Sequence, residues 1–302
     1  MSSIDLTVMY GHLEGAGNAF ARDPSGYLSI ESGIYRKHGL NVSWVHVQGT
    51  EQRYRRLEDG SAQISMVVGR ASLQHFLLSK TTRILGAAMN SCPYYLMAAP
   101  VIDSLADFRS KSLACREAPT RNTPITETFY EQARLRVGPD LKLQLPNGDH
   151  EAFALLVDGK VDAALLPRPF GLIAEEMGFK RIAGWPEIVD DPLPITIETT
   201  QQLTRERVND FAAFLAAHRE GIGYFKSNRA DAIRILQKQF GHSRAMSEKI
   251  FAEYVICMDE TLKVDFKQFE KLLSQVATAT SADAHRVASE WIVPGVLKNL
   301  PE

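Results

Sequence analysis

The chain has 302 residues, of which 45% are hydrophobic and 23% charged, and its net charge at pH 7 is -2. This composition is typical of a folded soluble protein with one large domain or two of ordinary size. The near-neutral charge argues against a nucleic-acid or anionic-membrane partner, because both require a basic excess. No apolar run approaches the length of a bilayer span, and the 3 widely spaced cysteines form neither a disulfide framework nor a metal motif.

The amino-terminal segment, MSSIDLTVMYGHLEG, lacks the basic start and the apolar core of a secretory signal. Two locations therefore stay open. The protein is cytoplasmic if Met1 is the native start, and periplasmic if a leader was removed.

Strand and helix patterns alternate along the first ninety residues. The predicted strands alternate apolar and polar residues, and glycines or basic last turns mark the ends of predicted helices. In chain order the predicted elements are strand 5–10, a helix ending at Gly39, strand 41–47, a helix from Thr50 to Gly60, strand 64–68, helix 71–78 and strand 83–88. Such alternation favours a mainly parallel sheet covered by helices.

The alternation restarts after a strand that Pro100 ends, and it gives way to helices near residue 204. The amphipathic spacing of apolar residues predicts helices to the end of the chain. The predicted elements are strands 94–99, 112–115, 142–145, 163–166, 180–183 and 195–198, helices 124–135, 151–158 and 170–177 between them, and a carboxyl-terminal helical block at 204–226, 228–240, 243–256, 263–277 and 282–291.

One phrase occurs twice, as LEDGSAQISMVVGR at 57–70 and as LVDGKVDAALLPRP at 156–169. Each copy has Leu-x-Asp-Gly at the end of a predicted helix, followed by a buried strand. Asp-Gly is common after a helix, but the matching context on both sides favours a repeated unit. We therefore predict an α/β clamshell of two lobes, 1–95 plus 196–302 and 96–195, joined by hinge strands near 94–99 and 195–198. Each lobe would supply one wall of a ligand cleft at the carboxyl ends of its strands.

The chain also resembles a known family. GIYRKHGLNV is similar to a signature of type 2 periplasmic solute-binding proteins, in the group that binds nitrate, taurine, alkanesulfonates and the thiamine pyrimidine precursor. The resemblance continues through LEDGSAQIS, SLADFRSKSLAC and LVDGKVDAALLPRPFGLIAEEMG. The chain departs from the family pattern at Gln63, where Asp is preferred, at Ser110, where Gly is preferred, and in lacking an export signal.

The resemblance implies a reversible binder of a small organic anion or of an aromatic or heterocyclic solute, which delivers it to an ABC transporter permease. It implies a monomer without cofactor or metal. Matched position by position, it implies ligand-binding roles for His12, Glu14, Thr50, Glu51, Gly69, Arg70, Ser72, Asn90, Cys92, Thr120, Arg121, Asn122, Thr123, Arg168 and Phe170. Helix starts with hydroxyl side chains suit an anionic group, and Arg70, Arg121 and Arg168 are candidates to bind it, although an arginine is by default solvent-exposed.

A second interpretation is a cytoplasmic enzyme on the same fold, because relatives of this fold synthesise the thiamine pyrimidine, desulfinate, or decarboxylate aromatic acids. Cys92 would be its first candidate nucleophile, although a reactive cysteine needs a nearby base that the sequence does not identify. The basic run from Arg53 to Arg56 is predicted to be the solvent-facing side of a helix.

Overall fold

The structure is a computed structural model. It describes residues 3–10, 23–47, 49–90, 94–115, 140–146, 148–184, 195–276 and 281–293. The predicted helix 124–135 lies outside these ranges. No helix within them is long and apolar enough to cross a membrane.

The first lobe begins with the alternation that the sequence predicts. Gly33, at φ 77°, divides the single helix predicted before Gly39 into two short ones. The elements are β1 (Ile4–Tyr10), α1 (Ser25–Glu31), α2 (Ile34–Lys37), β2 (Leu40–His46), α3 (Thr50–Glu58), β3 (Ile64–Val68), α4 (Gly69–Ser79) and β4 (Thr82–Met89).

The second lobe repeats this alternation. Its elements are β5 (Tyr94–Ala98), a 3-10 turn (Leu105–Phe108), β6 (Lys111–Ala114), β7 (Leu141–Gln144), α5 (Asp149–Val157), β8 (Ala163–Pro167), α6 (Phe170–Glu176) and β9 (Lys180–Gly184). The chain then returns to the first sheet as β10 (Ile195–Thr200).

Two five-stranded sheets result, with orders β2-β1-β3-β10-β4 and β7-β6-β8-β5-β9. Strands β1, β2 and β3 are parallel, as are β6, β7 and β8. The two predicted hinge strands differ from the rest, because β10 and β5 run antiparallel to both of their neighbours. The predicted α/β clamshell architecture is confirmed, with sheets that are mixed because each contains one hinge strand.

The two copies of the repeated phrase fold alike. Leu57 and Leu156 are both 1% exposed and anchor the ends of α3 and α5. Gly60 and Gly159 follow at φ 76° and 68°, a left-handed conformation that favours glycine. Each helix is followed by a buried strand in the middle of its sheet, β3 and β8. The repeat is therefore structural as well as sequential.

The carboxyl-terminal block consists of helices, as predicted, but the pattern at 204–226 is two helices rather than one. The helices are α7 (Gln201–Glu206), α8 (Val208–Ser227), α9 (Arg229–Phe240), α10 (Arg244–Cys257), α11 (Phe266–Val276) and α12 (Ser281–Trp291). Residues Phe211, Phe214 and Phe225 of α8 are fully buried. The apolar face of this long helix packs against α1 and α2, so the block covers the first sheet rather than forming a third one.

The carboxyl ends of the two sheets are connected to each other by the chain. Met89, the last residue of β4, and Tyr94, the first residue of β5, are separated by residues 90–93 only, which span at most about 18 Å. Tyr94 pairs with Pro167 at the carboxyl end of β8, and on the return Ile195 pairs with Val68 at the carboxyl end of β3. Both crossings thus join carboxyl edge to carboxyl edge, which is where α/β proteins bind ligands.

Candidate functional site

Seven of the predicted ligand-binding residues lie outside the described residues: His12, Glu14, Cys92, Thr120, Arg121, Asn122 and Thr123. For Gly69 and Arg70 the structure places the backbone, which begins α4 directly after β3. The remaining six positions lie in elements that flank both sheets and can be located individually.

Thr50 and Glu51 begin α3 behind Gly49, which has φ 81°. Thr50 Oγ1 accepts a hydrogen bond from Arg53 Nη2 at 3.3 Å. Glu51 is 80% exposed and forms an ion pair with Arg55 one turn further on. The structure therefore places Thr50 at the carboxyl edge of the first sheet and Glu51 on the outer side of the same helix.

Ser72 belongs to a buried group of hydroxyls around one carboxyl group. Its Oγ lies 3.0 Å from Thr196 Oγ1, and Thr196 donates to Glu198 Oε1 at 3.0 Å. The hydroxyl of Tyr54 donates to Glu198 Oε2 at 3.2 Å. Burial raises the pKa of Glu198 to about 7, although hydrogen bonds from Ser72, Thr196 and Tyr54 act in the opposite direction. Ser72 thus lies beneath the carboxyl edge rather than on its surface.

The basic run from Arg53 to Arg56 is only partly solvent-facing, so that prediction was wrong for part of the run. Tyr54 within it is 2% exposed. Arg53 is half-buried and its charge acts on Glu198, whereas the side chain of Arg55 is 72% exposed. The ring of His75 stacks on the ring of Tyr54, with 3.5 Å between the two centroids.

Asn90, predicted at the first hinge, contacts the loop that follows α10. Its amide donates to Lys263 O at 2.9 Å and to Asp259 Oδ2 at 3.2 Å, and it accepts from the backbone N–H of Asp265 at 3.0 Å. The backbone N–H of Ala87 also donates to Leu262 O at 2.9 Å, so the loop is fixed along β4. The side-chain amide of Asn90 therefore makes three hydrogen bonds within the protein.

Arg168 is buried at 0% exposure, which departs from the solvent-exposed default for an arginine. Its guanidinium carbon lies 4.2 Å from the ring centroid of Tyr254, and its Nη1 lies 4.0 Å from Glu253 Oε2. Its Nη2 lies 3.7 Å from Met89 Sδ at the end of β4. Arg168 thus joins the second sheet both to the first sheet and to α10.

Glu253 is the centre of that contact between α10 and the second lobe. It accepts a hydrogen bond from the Tyr95 hydroxyl of β5. Burial raises the pKa of Glu253, against the opposing charge of Arg168. The guanidinium carbon of Arg181 on β9 lies over the Tyr95 ring, 4.2 Å from its centroid. Helix α10 is therefore held to the second lobe by a mixed aromatic and charged cluster.

Phe170 is 4% exposed and begins α6. Its ring lies 5.2 Å from that of Phe153 and 6.1 Å from that of His150, both on α5. In the structure Phe170 is a core residue that joins the two helices of the repeated unit in the second lobe.

A second buried carboxyl group, that of Asp23, lies just before α1. Asp23 Oδ2 lies 2.8 Å from His218 Nε2 of α8, and the two side chains are 1% and 0% exposed. Asp23 Oδ1 accepts from the backbone N–H and hydroxyl of Ser25 at 2.9 and 2.6 Å, and the other nitrogen of His218 lies 3.0 Å from Tyr35 Oη. Burial acts to raise the pKa of Asp23, but the proximity of His218 and the bonds from Ser25 outweigh it, so the pKa is lowered.

Glu198, Glu253 and the Asp23–His218 contact were not predicted from the sequence. Of these, Glu198 had a usable signal, because Ile195 and Ile197 alternate with Thr196 and Glu198 in a strand already predicted to be a hinge. Within the described ranges no group of three or more His, Cys, Asp or Glu side chains could hold a metal ion.

Solved structures with the same fold include periplasmic binding proteins. The putative sulfonate-binding SsuA of Methylobacillus flagellatus KT aligns with a TM-score of 0.72 and 14% identity, over 98% of this chain and 93% of its own. The nitrate-binding NrtA of Synechocystis PCC 6803 aligns at 0.72 and 11%, over 98% and 88%. The aliphatic sulphonate-binding SsuA of Escherichia coli aligns at 0.69 and 17%, over 90% and 85%.

No protein-family model matches the sequence, and no curated protein matches it. TM-scores of 0.69 and 0.72 establish the fold, whereas identities of 17% and 11% leave the ligand open. The chain has the two-lobed α/β fold of the ABC-type periplasmic binding proteins that its motifs resemble.

Proposed function

We propose that the protein captures a small organic anion, or an aromatic or heterocyclic solute, between the carboxyl edges of its two sheets. We further propose that it delivers this solute to an ABC-type importer. The lobes would then be 1–95 with 196–302, and 96–195, and ligand binding would close them about β5 and β10.

The observation that carries this proposal is that both crossings of the chain connect the carboxyl edges of the two sheets. Both hinge strands begin at such an edge, with Tyr94 opposite Pro167 and Ile195 opposite Val68. A solute held there would contact both lobes, so its binding energy would favour the closed arrangement.

The polarity of the ligand is inferred from the helix starts. Helices α3 and α4 begin at the carboxyl edge of the first sheet, at Thr50 and Gly69. Their first backbone N–H groups point towards that edge and favour a negative charge by about 0.3–1 kcal/mol for each helix. The similar structures include binders of two small anions, a sulfonate and nitrate, which supports the same class of ligand for this chain.

The test is a thermal-shift screen against nitrate, taurine, longer alkanesulfonates, aromatic carboxylates and thiamine pyrimidines, with each compound recovered for mass analysis. A ligand at a hundred times its Kd stabilises the folded state by about 2.7 kcal/mol. With an unfolding entropy of about 2.1 cal/mol/K per residue, the melting temperature should rise by roughly 4 °C. We expect such a rise for at least one anion, with the compound recovered unchanged.

Two threonine variants provide a matched pair. Thr50→Ala alters the carboxyl edge, whereas Thr81→Ala alters an exposed threonine just before β4, at the opposite end of the sheet. The proposal predicts a smaller ligand-induced shift in the first variant only. A compound returned chemically altered, relative to a protein-free control, would overturn the proposal in favour of an enzyme. No shift with any of the five compound classes would overturn the proposed ligand class.

A further inference from the structure

The hinge strand β10 carries a carboxyl group that touches both helices of the proposed cleft wall. Glu198 is 0% exposed and lies opposite Ser65 of β3 and Ile84 of β4. Three hydroxyl groups converge on it, from Tyr54 on α3, Ser72 on α4 and Thr196 on its own strand. A glutamate in the centre of a sheet is costly unless such partners surround it.

The positions of these partners along the helices are informative. Tyr54 lies one turn after the start of α3 and Ser72 lies in the first turn of α4. Both helices begin at the carboxyl edge, so each partner lies one layer beneath the residues that would meet a ligand. Thr196 Oγ1 also lies 3.0 Å from Val67 O, which places the same group beside the end of β3.

We propose that Glu198 is a proton-responsive positioning residue, whose carboxyl group holds the first turns of α3 and α4 in register with hinge strand β10. The statement that these turns form a wall of the ligand cleft rests on the proposed function. The coupling of the two turns through Glu198 does not, because it concerns the protein without ligand.

The groups around Glu198 leave its carboxylate with little charge compensation. Helix α3 presents Arg53, which is half-buried, and Tyr54, whose pKa burial raises well above its usual range. Helix α4 presents His75, whose pKa is lowered by burial. Strand β3 has no charged residue, β4 has Arg83 beside Thr199, and α7 has Arg205 and Glu206. Of these cations, only Arg53 is among the groups that chiefly shift the pKa of Glu198.

The proton on Glu198 therefore decides how strongly the cluster holds together. Burial places its pKa at about 7 instead of near 4.5. If either turn opens, the carboxyl group meets water and releases its proton at the lower pKa. Linkage between these two states makes opening about tenfold more favourable at pH 8 than at pH 6.

Amide hydrogen exchange of the ligand-free full chain tests this coupling. We expect protection in the segments around Tyr54 and Ser72, corrected for intrinsic exchange rates, to fall about tenfold between pH 6 and pH 8, with a midpoint near pH 7. In Glu198→Gln, which keeps the shape of the side chain and cannot titrate, the dependence on pH should disappear from both segments together.

The control variants separate Glu198 from its neighbours. His75→Phe keeps a ring beside Tyr54 and should leave the pH dependence unchanged, as should Glu58→Gln on the exposed side of α3. Tyr54→Phe removes a donor to the carboxylate and should move the midpoint to higher pH. This last variant also decides the matter if Glu198→Gln does not fold.

Protection that does not change with pH in the native chain would overturn the proposal. So would a pH dependence that persists in Glu198→Gln or vanishes in His75→Phe, or a midpoint that does not move in Tyr54→Phe. None of these readings requires a ligand. The failure of the proposed function in the solute screen would leave them unaffected.

Discussion

The contact between Asp23 and His218 should be among the most important single interactions for stability. It joins the chain just before α1 to α8, with Oδ2 and Nε2 at 2.8 Å and both side chains withdrawn from water. Replacing His218 by Phe removes this interaction, together with the 3.0 Å contact between the other ring nitrogen and Tyr35 Oη. The ring of His218 stacks on Phe214 at 5.4 Å and on Trp44 at 6.0 Å, and a phenyl ring would keep those contacts.

The size of the effect follows from burial. In His218→Phe the Asp23 carboxylate keeps the two bonds from Ser25 and loses its contact with the imidazole. Removing the partner of a buried carboxylate leaves that charge uncompensated, which costs about 3–5 kcal/mol. Native domains are stable by about 5–15 kcal/mol in total, so this loss is a large fraction of the whole.

The assay is urea unfolding at pH 7, in a cycle with Asp23→Asn and the double variant. The double variant should lose less than the sum of the single losses, by roughly 0.5–3 kcal/mol, since it leaves no uncompensated carboxylate. The pKa of Asp23 is lowered in the native chain, so its stabilisation is present above the usual carboxyl range and is lost as pH falls through the lowered value.

In His218→Phe only the bonds from Ser25 still oppose burial, so the pKa of Asp23 rises, and protonation of Asp23 then removes the buried charge. The difference in unfolding free energy between the native chain and the variant should therefore shrink between pH 7 and pH 4. A His218→Phe variant within 1 kcal/mol of the native chain, or a difference that grows at low pH, would refute the reasoning.

Three further predictions concern stability. Because the pKa of Glu198 is raised to about 7, its contribution to the free energy of unfolding is fully present below about pH 4.5 and is lost as pH rises to 7. In urea unfolding, the native chain should therefore lose roughly 2.5 kcal/mol relative to Glu198→Gln between pH 5 and pH 8. Glu253→Gln should cost about 1–3 kcal/mol in the same assay, because it removes the charge that faces Arg168 while preserving side-chain shape. Gly171→Ala should cost about 1–3 kcal/mol by calorimetry, since a Cβ there collides with the Tyr95 ring, whereas Gly223→Ala, which meets only the end of a flexible side chain, should be neutral or stabilising.

Much of the fold could be predicted because its elements have local causes. Alternation along DLTVMY and NVSWVHV identifies strands with one more buried face. Gly60 and Gly159 each end a helix, because both adopt the left-handed conformation that glycine favours. The direction of a strand relative to its neighbours has no local cause. Periodicity located both hinge strands, while their antiparallel pairing follows from the route by which the chain crosses between the sheets.

The candidate site was less predictable because its partners are remote in sequence. Arg168 lies between two prolines and reads as a surface loop residue, and its burial depends on Glu253 and Tyr254 of a helix in another part of the chain. The side chain of Asn90 is likewise hydrogen-bonded within the segment 259–265. A motif match gives the position of a residue along the fold, and only tertiary packing determines whether its side chain faces a cleft or the core.

The central position of β10 has a consequence for how the chain folds. All strands of the second sheet lie between Tyr94 and Gly184, whereas the first sheet lacks the strand that joins β3 to β4 until Ile195–Thr200 has been made. On a ribosome that adds about 5–20 residues per second, the second lobe can close its sheet while β3 and β4 still present open edges. These edges are aggregation-prone, and their long-range pairing is intrinsically slow. The first lobe is therefore the part of the chain with the greatest need of a chaperone during synthesis.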